Sequence, residues 1–480
     1  MKKLPIGQQD LAGIVNGGFI YVDKTKYIHK LLDNKYFFLS RPRRFGKSLL
    51  ISTLKEIFSG NRELFKDFWI YDKIEWKQYP VIHISFSTLD YKEQGLEKAL
   101  TEKIDKIAKE HQLVLSEKNY SSKFEELIQK LGGEGKAVIL IDEYDKPIID
   151  YIEDVEQAKF NMNILKNFYS VVKDLDAKIR FFFITGVSKF SKVSIFSDLN
   201  NLEDITIDDN YVLLTGISQL ELEKYFKEHI AILQKKLEKY FPNIIETIQK
   251  EYLGYSWDGE TFVYNPFTLL NLFSKNNFGD YWFQSGTPTF LMKLIKEGNY
   301  TCYDLENKTL FKTTFDKCEI EDIPLISLLF QTGYLTIKKL DILDNTITLD
   351  YPNSEVARAF SIHLLANLNG GKIVQTNAML VEMMKAVRQN RFDKFMELFK
   401  VLLKGIAYPT VDTKESYFHS IFYLVVKMLG FNIDSEILTI DGRVDCVLKT
   451  DIKYPLKKVW YKYQIYNILR LSYLQSAIIS

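Results

Sequence analysis

The residues of this chain best placed to do chemistry are a Gly-Lys-Ser triplet at 46–48 and an Asp-Glu pair at 142–143. The triplet ends the stretch Arg41-Pro42-Arg43-Arg44-Phe45-Gly46-Lys47-Ser48. A loop with this ending, set between a buried strand and a helix, cradles phosphates in its backbone N–H groups. The flanks supply that setting. Tyr36-Phe37-Phe38-Leu39 reads as the strand and Leu49-Leu50-Ile51-Ser52-Thr53-Leu54 as the start of the helix. Lys47 would neutralise β- and γ-phosphate charge, and Ser48 would hold Mg²⁺ through its hydroxyl. The position five before Gly46, ordinarily the first glycine of such a loop, is Arg41.

The second half of the candidate site is Ala137-Val138-Ile139-Leu140-Ile141-Asp142-Glu143. A continuous apolar run is what a parallel strand covered on both faces shows. At its carboxyl end Asp142 would join the Mg²⁺ shell, and Glu143 would orient and deprotonate an attacking water. The competing reading is an ordinary strand ending in a solvated acidic turn. The presence of both motifs in this order argues against it. Lys47 and Glu143 are therefore the catalytic candidates. The cofactor-binding set is Arg43, Arg44, Phe45, Gly46, Lys47, Ser48 and Thr185, and the metal set is Ser48 with Asp142. Arg43 and Arg44 would contact phosphate or act across a subunit interface, unless they form only a solvated loop face.

These residues carry a family resemblance. Leu4-Pro5-Ile6-Gly7, Tyr21-Val22-Asp23-Lys24-Thr25, the Arg-Pro-Arg-Arg-Phe-Gly-Lys-Ser loop and Ile141-Asp142-Glu143-Tyr144-Asp145 resemble the bacterial AAA-ATPase-like family. The resemblance covers nearly the whole chain and fails near the C-terminus. It implies a P-loop ATPase using ATP and Mg²⁺, with arginine usual at the position of Arg41. It also implies a C-terminal PD-(D/E)xK nuclease-type domain.

A chain of 480 residues is too long for one core, so two to four domains are expected. Lys+Arg 63 against Asp+Glu 62 gives no global pull toward nucleic acid, which leaves a local basic groove open. The many Tyr, Phe, Lys, Ile and Asn residues could reflect an AT-rich genome. Cys302, Cys318 and Cys446 form no Cys-x-x-Cys pair, which disfavours a zinc site or a disulfide framework. Met1-Lys2-Lys3 is followed by no apolar signal core, and no run approaches a membrane span. The expectation is a cytoplasmic protein without a membrane partner.

Residues 1 to about 215 read as the P-loop domain. Its strands are expected at Tyr36–Leu39, Val81–Phe86, Val138–Ile141, Arg180–Thr185 and Tyr211–Leu214, and its helices at 47–58, 93–110, 121–131 and 159–174. Such alternation implies an α/β fold, a parallel sheet with helices on both faces and ligands at the strands' carboxyl ends. Thr185, beyond such an end and next to the Asp142 strand, is a candidate γ-phosphate sensor, with Ser188 or Lys189 as substitutes. A loop that merely begins Thr-Gly is equally compatible. Residues 216–315 read as a helical lid that includes an amphipathic stretch Ile217–Leu237. Trp282 and Phe283 are read as core anchors. Residues 316–375 read as winged-helix-like: helix Ile323–Phe330, strands Gly333–Ile337 and Thr346–Asp350, then a helix from Pro352. Such segments bind DNA or act as spacers, and the acidic Asp341, Asp344 and Asp350 favour the spacer.

Residues 376–450 read as a partial restriction-endonuclease-like α/β domain. A helix Ile421–Leu429 is followed by strand runs at 431–436 and 442–448, the second bearing Asp445. Asp445 matches the Asp of the nuclease motif, and Glu415 matches its helix acid. The Glu-x-Lys half, which would complete the metal site, is missing. Asp451-Ile452-Lys453 lies only six residues beyond Asp445, too close for an antiparallel return. The tail 451–480 does not resemble the family, as if the reading frame had changed or the domain decayed. The expectation is Mg²⁺-dependent ATP binding and hydrolysis coupled to DNA, a protein partner or a second copy of the chain, with a degenerate nuclease-type domain. The alternatives are a nucleotide-dependent binding switch with little turnover, and an active nuclease.

Overall fold

Three strands of this chain are apolar almost throughout, and they form the centre of one sheet. They are β1 (Tyr36–Ser40), β3 (Ala137–Asp142) and β4 (Ile179–Gly186). β2 (Val81–Ser85) alternates buried and half-buried residues, as an edge strand does. β5 is the short pair Glu203–Asp204. The sheet order is β2-β3-β4-β1-β5 with every pairing parallel. The computed structural model describes residues 1–133, 135–189, 195–196, 199, 201–282, 306–315, 324–370, 372–389, 391–405, 421–422, 424–426, 428–429, 432–439 and 442–449.

Helices α1 (Leu11–Asn16), α2 (Thr25–Leu31) and α3 (Lys47–Phe58) pack on this sheet. Leu11, Ile28 and Leu54 meet Phe37, Val138 and Phe181 in one buried cluster. The helices Leu96–Glu110, Tyr120–Gly132 and Val155–Asp174 complete the crossovers. The last begins four residues earlier than its apolar pattern suggests, because the Asp154 side chain caps it by accepting from Gln157 N–H. The expected helix 93–110 is broken at Gly95.

One expected strand is corrected. Tyr211–Leu214 lie in a 3₁₀ turn, Asp209–Leu214, which Asp208 caps by accepting from Asn210 N–H. A short buried apolar run does not by itself distinguish strand from helix. The fifth strand is instead Glu203–Asp204, beside β1.

Ile217–Leu237 is not one helix. Ile217–Ser218 is a strand, β6, and Ser218 and Glu221 form a reciprocal capping box that starts the helix Gln219–Tyr225. Helices Lys227–Leu237, Ile244–Tyr252 and Pro266–Lys275 follow. Between them β7 (Leu253–Tyr255) and β8 (Val263–Tyr264) join β6 in a small antiparallel sheet. Farther on, β9 (Lys308–Phe311), β10 (Thr336–Asp341) and β11 (Thr346–Asp350) form a second antiparallel sheet, next in sequence to the helix Leu325–Thr332. Gly333 caps that helix with φ +90°, so the strand starts later than Gly333. Trp282 packs edge-on against Tyr255 and Tyr334, an anchor as expected, while Phe283 lies outside the described residues.

The chain divides into two units, Met1–Ser285 with Asn307–Ser354 and Gly286–Glu306 with Glu355–Ser480. In the second, helices Ile373–Arg388 and Phe392–Gly405 share a core with Phe422 and Val425. β12 (Asn432–Thr439) and β13 (Gly442–Lys449) pair antiparallel, and Asp445 lies on β13. Glu415 and the tail 451–480 lie outside the described residues.

Candidate functional site

The register of the sheet gathers the candidate residues along one edge. Leu39 faces Thr185 and Ser40 faces Gly186 across β1 and β4, while Ser85 faces Asp142 across β2 and β3. The ends of β1 and β3 are separated by β4 alone, about 10 Å at two strand spacings.

Beyond β1 the loop turns through two left-handed residues, Arg44 at φ +68° and Gly46 at φ +88°. A Cβ at Gly46 would meet nothing within 4 Å, so the glycine serves the backbone conformation and leaves open space over the α3 N-terminus. Lys47 is 6% exposed, and its ammonium donates to the Arg41 and Pro42 carbonyls at 2.9 and 3.0 Å. Burial pulls its pKa below the ordinary lysine range, opposed by the charges of Asp142, Asp145 and Glu143. Ser48 is half-buried on the first turn of α3.

The remaining loop residues take different roles. Arg41 is fully buried: its guanidinium donates to the carbonyls of Ser40 (2.9 Å) and Thr206 (2.8 Å) and lies 4.0 Å over the Trp257 ring. It is a brace for the loop and does not face the open space at Gly46. Pro42 packs so closely on Gly333 that a Cβ there would come within 2.8 Å of it. Arg43 is exposed, and its carbonyl accepts from Asn265. Arg44 is exposed with its guanidinium 5.0 Å over Phe267. The Phe45 ring is buried against Tyr255 and Trp257, so only its backbone is available to a phosphate.

At the end of β3, Asp142 is buried and accepts from the Thr185 hydroxyl at 2.7 Å. Glu143 sits just past the strand with φ +55°. Burial first, then the charge of Asp142, holds its carboxyl above the usual range, the direction that makes a better base. The three sensor candidates all hold carboxylates. Thr185 donates to Asp142, the Ser188 hydroxyl donates to Asp145 at 2.7 Å, and the Lys189 ammonium pairs with Asp204 at 3.0 Å.

Sequence reasoning quoted Asp145 but gave it no role. It is buried, and one oxygen accepts from Val187 N–H, Ser188 N–H and the Ser188 hydroxyl. It therefore clamps the β3 and β4 ends together. Its place three residues after Asp142 was the available signal.

The Tyr21–Thr25 segment also acquires a structural meaning. The Tyr21 hydroxyl lies 3.1 Å from the Thr53 hydroxyl on α3. Asp23 accepts from Thr25 and from Trp69 N–H. Lys24 reaches both oxygens of Glu221 at 2.8 and 2.7 Å, in a largely buried ion pair. The segment thus straps the loop's helix to the helical residues after 216. Between them lies a cavity of about 100 Å³, walled by Ile20, Phe45, Gly46, Leu50, Thr215, Ile217, Phe226 and Pro266 among others.

The donor set suits Mg²⁺. Mg²⁺ keeps several waters and is held by one or two carboxylates together with substrate phosphates. Thr185 orients one oxygen of Asp142, among the described residues no hydrogen bond is seen to the other, and Ser48 supplies a hydroxyl. Among the described residues no cluster of three or more His, Cys, Asp or Glu forms an all-protein metal cage.

A five-stranded parallel sheet whose first strand runs through a Gly-Lys-Ser loop into a helix is a P-loop-like α/β core. Residues 5–196 match the model of a family described as predicted AAA-ATPase. A protein of Azotobacter chroococcum mcd 1, described as an uncharacterized protein in the vnfD 5′ region, is 37% identical over 460 residues. The match covers 92% of this chain and 86% of that protein. The chain belongs to one family with it and carries an AAA-ATPase-like domain over residues 5–196. No solved structure matches. Among the described residues no helix is long and apolar enough to cross a membrane.

Proposed function

We propose that this chain binds ATP with Mg²⁺ and hydrolyses it at the Gly46–Ser48 loop. The observation that carries this is Lys47. It is a buried ammonium held by two carbonyls of its own loop, within the field of Asp142, Glu143 and Asp145. The amides of the loop and of the first turn of α3 would hold the phosphates, and Lys47 would exchange its two carbonyls for phosphate oxygens. Ser48 and Asp142 would hold Mg²⁺, which when bound offsets charge on the β- and γ-oxygens. Glu143, ionised, takes a proton from a water that attacks the γ-phosphorus. The bond from that phosphorus to the bridging oxygen breaks, and ADP leaves with that oxygen. The heterocycle of the nucleotide would occupy the cavity beside Gly46.

Coupling to a partner, DNA or protein, would run through the packing around the loop. Arg41 and Pro42 are packed on Trp257 and Gly333, so a change in the loop reaches the small sheets that follow it. A nucleotide-dependent switch with little turnover fits the same contacts. Phosphodiester cleavage forms no part of this reading, because no Glu-x-Lys follows Asp445. The test is Mg²⁺-dependent ATP hydrolysis by wild type and Lys47→Ala, with and without double-stranded DNA. Hydrolysis lost in the variant supports the ATPase, and stimulation by DNA identifies the partner class. Nucleotide binding without turnover selects the switch, and a wild type that binds no nucleotide refutes both.

A further inference from the structure

We infer that Thr215 reads the base of the bound nucleotide, a specificity-determining contact that rests on the nucleotide reading above. Thr215 is 3% exposed and lines the cavity beside Gly46. Its hydroxyl has no hydrogen-bond partner among the described residues. A buried hydroxyl left unpaired is costly, and native proteins satisfy nearly all such groups. A ligand that enters the cavity is the partner that would satisfy it.

The wall around it decides what kind of ligand. Ile20, Phe45, Leu50, Ile217, Phe226 and Pro266 are apolar, and the Lys24 ammonium is already taken by Glu221. A lone water needs two to four polar partners and would find few here. A flat heteroaromatic ring suits the site better, with apolar faces for the wall and a polar edge for the hydroxyl. The cavity, about 100 Å³ and open on one side, is smaller than the apolar cavities of roughly 150 Å³ that enclose a benzene ring, so it takes the edge of a larger heterocycle and leaves the rest at its mouth. Gly46 belongs both to the loop and to the cavity wall. A ligand with phosphates on the loop therefore carries its ring toward Thr215. A threonine hydroxyl both donates and accepts, so it pairs with a ring nitrogen or with an exocyclic amine.

The test compares ATP, GTP and inorganic tripolyphosphate as probes, bound to wild type, Thr215→Val and Thr215→Ser and measured by calorimetry. Thr215→Val should weaken ATP about three- to tenfold, the worth of one hydrogen bond. Tripolyphosphate affinity should not change, and Thr215→Ser should restore ATP binding. The gap between ATP and GTP in wild type should narrow in Thr215→Val. The valine variant should melt no lower than wild type, because it removes a hydroxyl that nothing among the described residues satisfies. ATP bound as tightly by the valine variant as by wild type overturns the inference while leaving the nucleotide reading intact. Equal losses for ATP and tripolyphosphate also overturn it, by showing a structural effect on the loop. A wild type that binds neither ATP nor tripolyphosphate overturns the nucleotide reading and this inference with it.

Discussion

Replacing Arg41 tests whether the residue in place of the loop's first glycine holds phosphate or holds the fold. Its guanidinium makes two short bonds to carbonyls and faces Trp257. Hydrogen bonds from a charged donor contribute ~1.5–3 kcal/mol each, and a desolvated cation–π contact adds ~2 kcal/mol. Against this, burial pulls the pKa of Arg41 down to about 9, a cost of about 5 kcal/mol at ~1.4 kcal/mol per pH unit. The balance favours arginine by about 2 kcal/mol, and truncation also strands the Ser40 and Thr206 carbonyls at about 1 kcal/mol each. Arg41→Ala should therefore destabilise the protein by about 4 kcal/mol, or roughly 10 °C in Tm. Arg41→Met keeps the bulk and removes the buried charge, whereas Arg41→Lys keeps a more strongly hydrated charge and loses the planar fork. Methionine should be tolerated at least as well as lysine. The assay is thermal and urea denaturation of all three variants, with tripolyphosphate binding measured on those that remain folded. A lysine variant as stable as wild type beside an unfolded methionine variant would refute the reasoning. So would an Arg41→Met protein that melts normally but binds no phosphate, since that would make Arg41 a ligand.

Three further outcomes are expected. Hydrolysis needs Glu143 ionised and Lys47 protonated, and burial raises the first pKa and lowers the second. The acid limb of kcat against pH should therefore lie above the ordinary glutamate value of ~4.3, and the alkaline limb should begin below the lysine value of ~10.4. Glu143→Gln should keep nucleotide binding, lose about 10²-fold or more in kcat and abolish the acid limb; turnover retained in that variant removes the assigned base. Lys24→Met leaves the Glu221 carboxylate buried without its cation and should cost about 3 kcal/mol. Adding Glu221→Gln, which keeps the capping box with Ser218, should recover most of that loss. A double variant as unstable as Lys24→Met alone would show that the pair is not the strap between the two segments.

The candidate site was legible because its signals are local. The run Tyr36–Leu39, the Gly-Lys-Ser turn and the apolar periodicity after it each lie within a few residues, and the helix begins at Lys47 and ends at Phe58 as that pattern predicts. The apolar run ending in Asp142 is equally local, and parallel pairing then fixes that it ends beside Thr185. Length and capping also set element boundaries, and the caps at Asp154 and Ser218 place two helix starts where the apolar pattern alone does not. Tyr211–Leu214 failed as a strand because four buried apolar residues satisfy a turn as well as a ladder.

What only the tertiary structure decided is which distant residues share a volume. Lys24 meets Glu221 across 197 positions, Arg41 lies under Trp257, and Thr215 shares a cavity with Ile20 and Gly46. None of these pairs has a spacing that sequence periodicity can read. Hydrophobic pattern says that a residue is buried but not against what. The partners follow from the order of strands in the sheet and from where the segments after residue 216 fold back onto the loop. By itself the sequence determined the Gly-Lys-Ser turn after β1 and the carboxylates at the end of β3. The packing around them determined that Arg41 braces that turn, that Asp145 clamps its neighbour strands, and that the Thr215 hydroxyl, unpaired among the described residues, lines the cavity beside it.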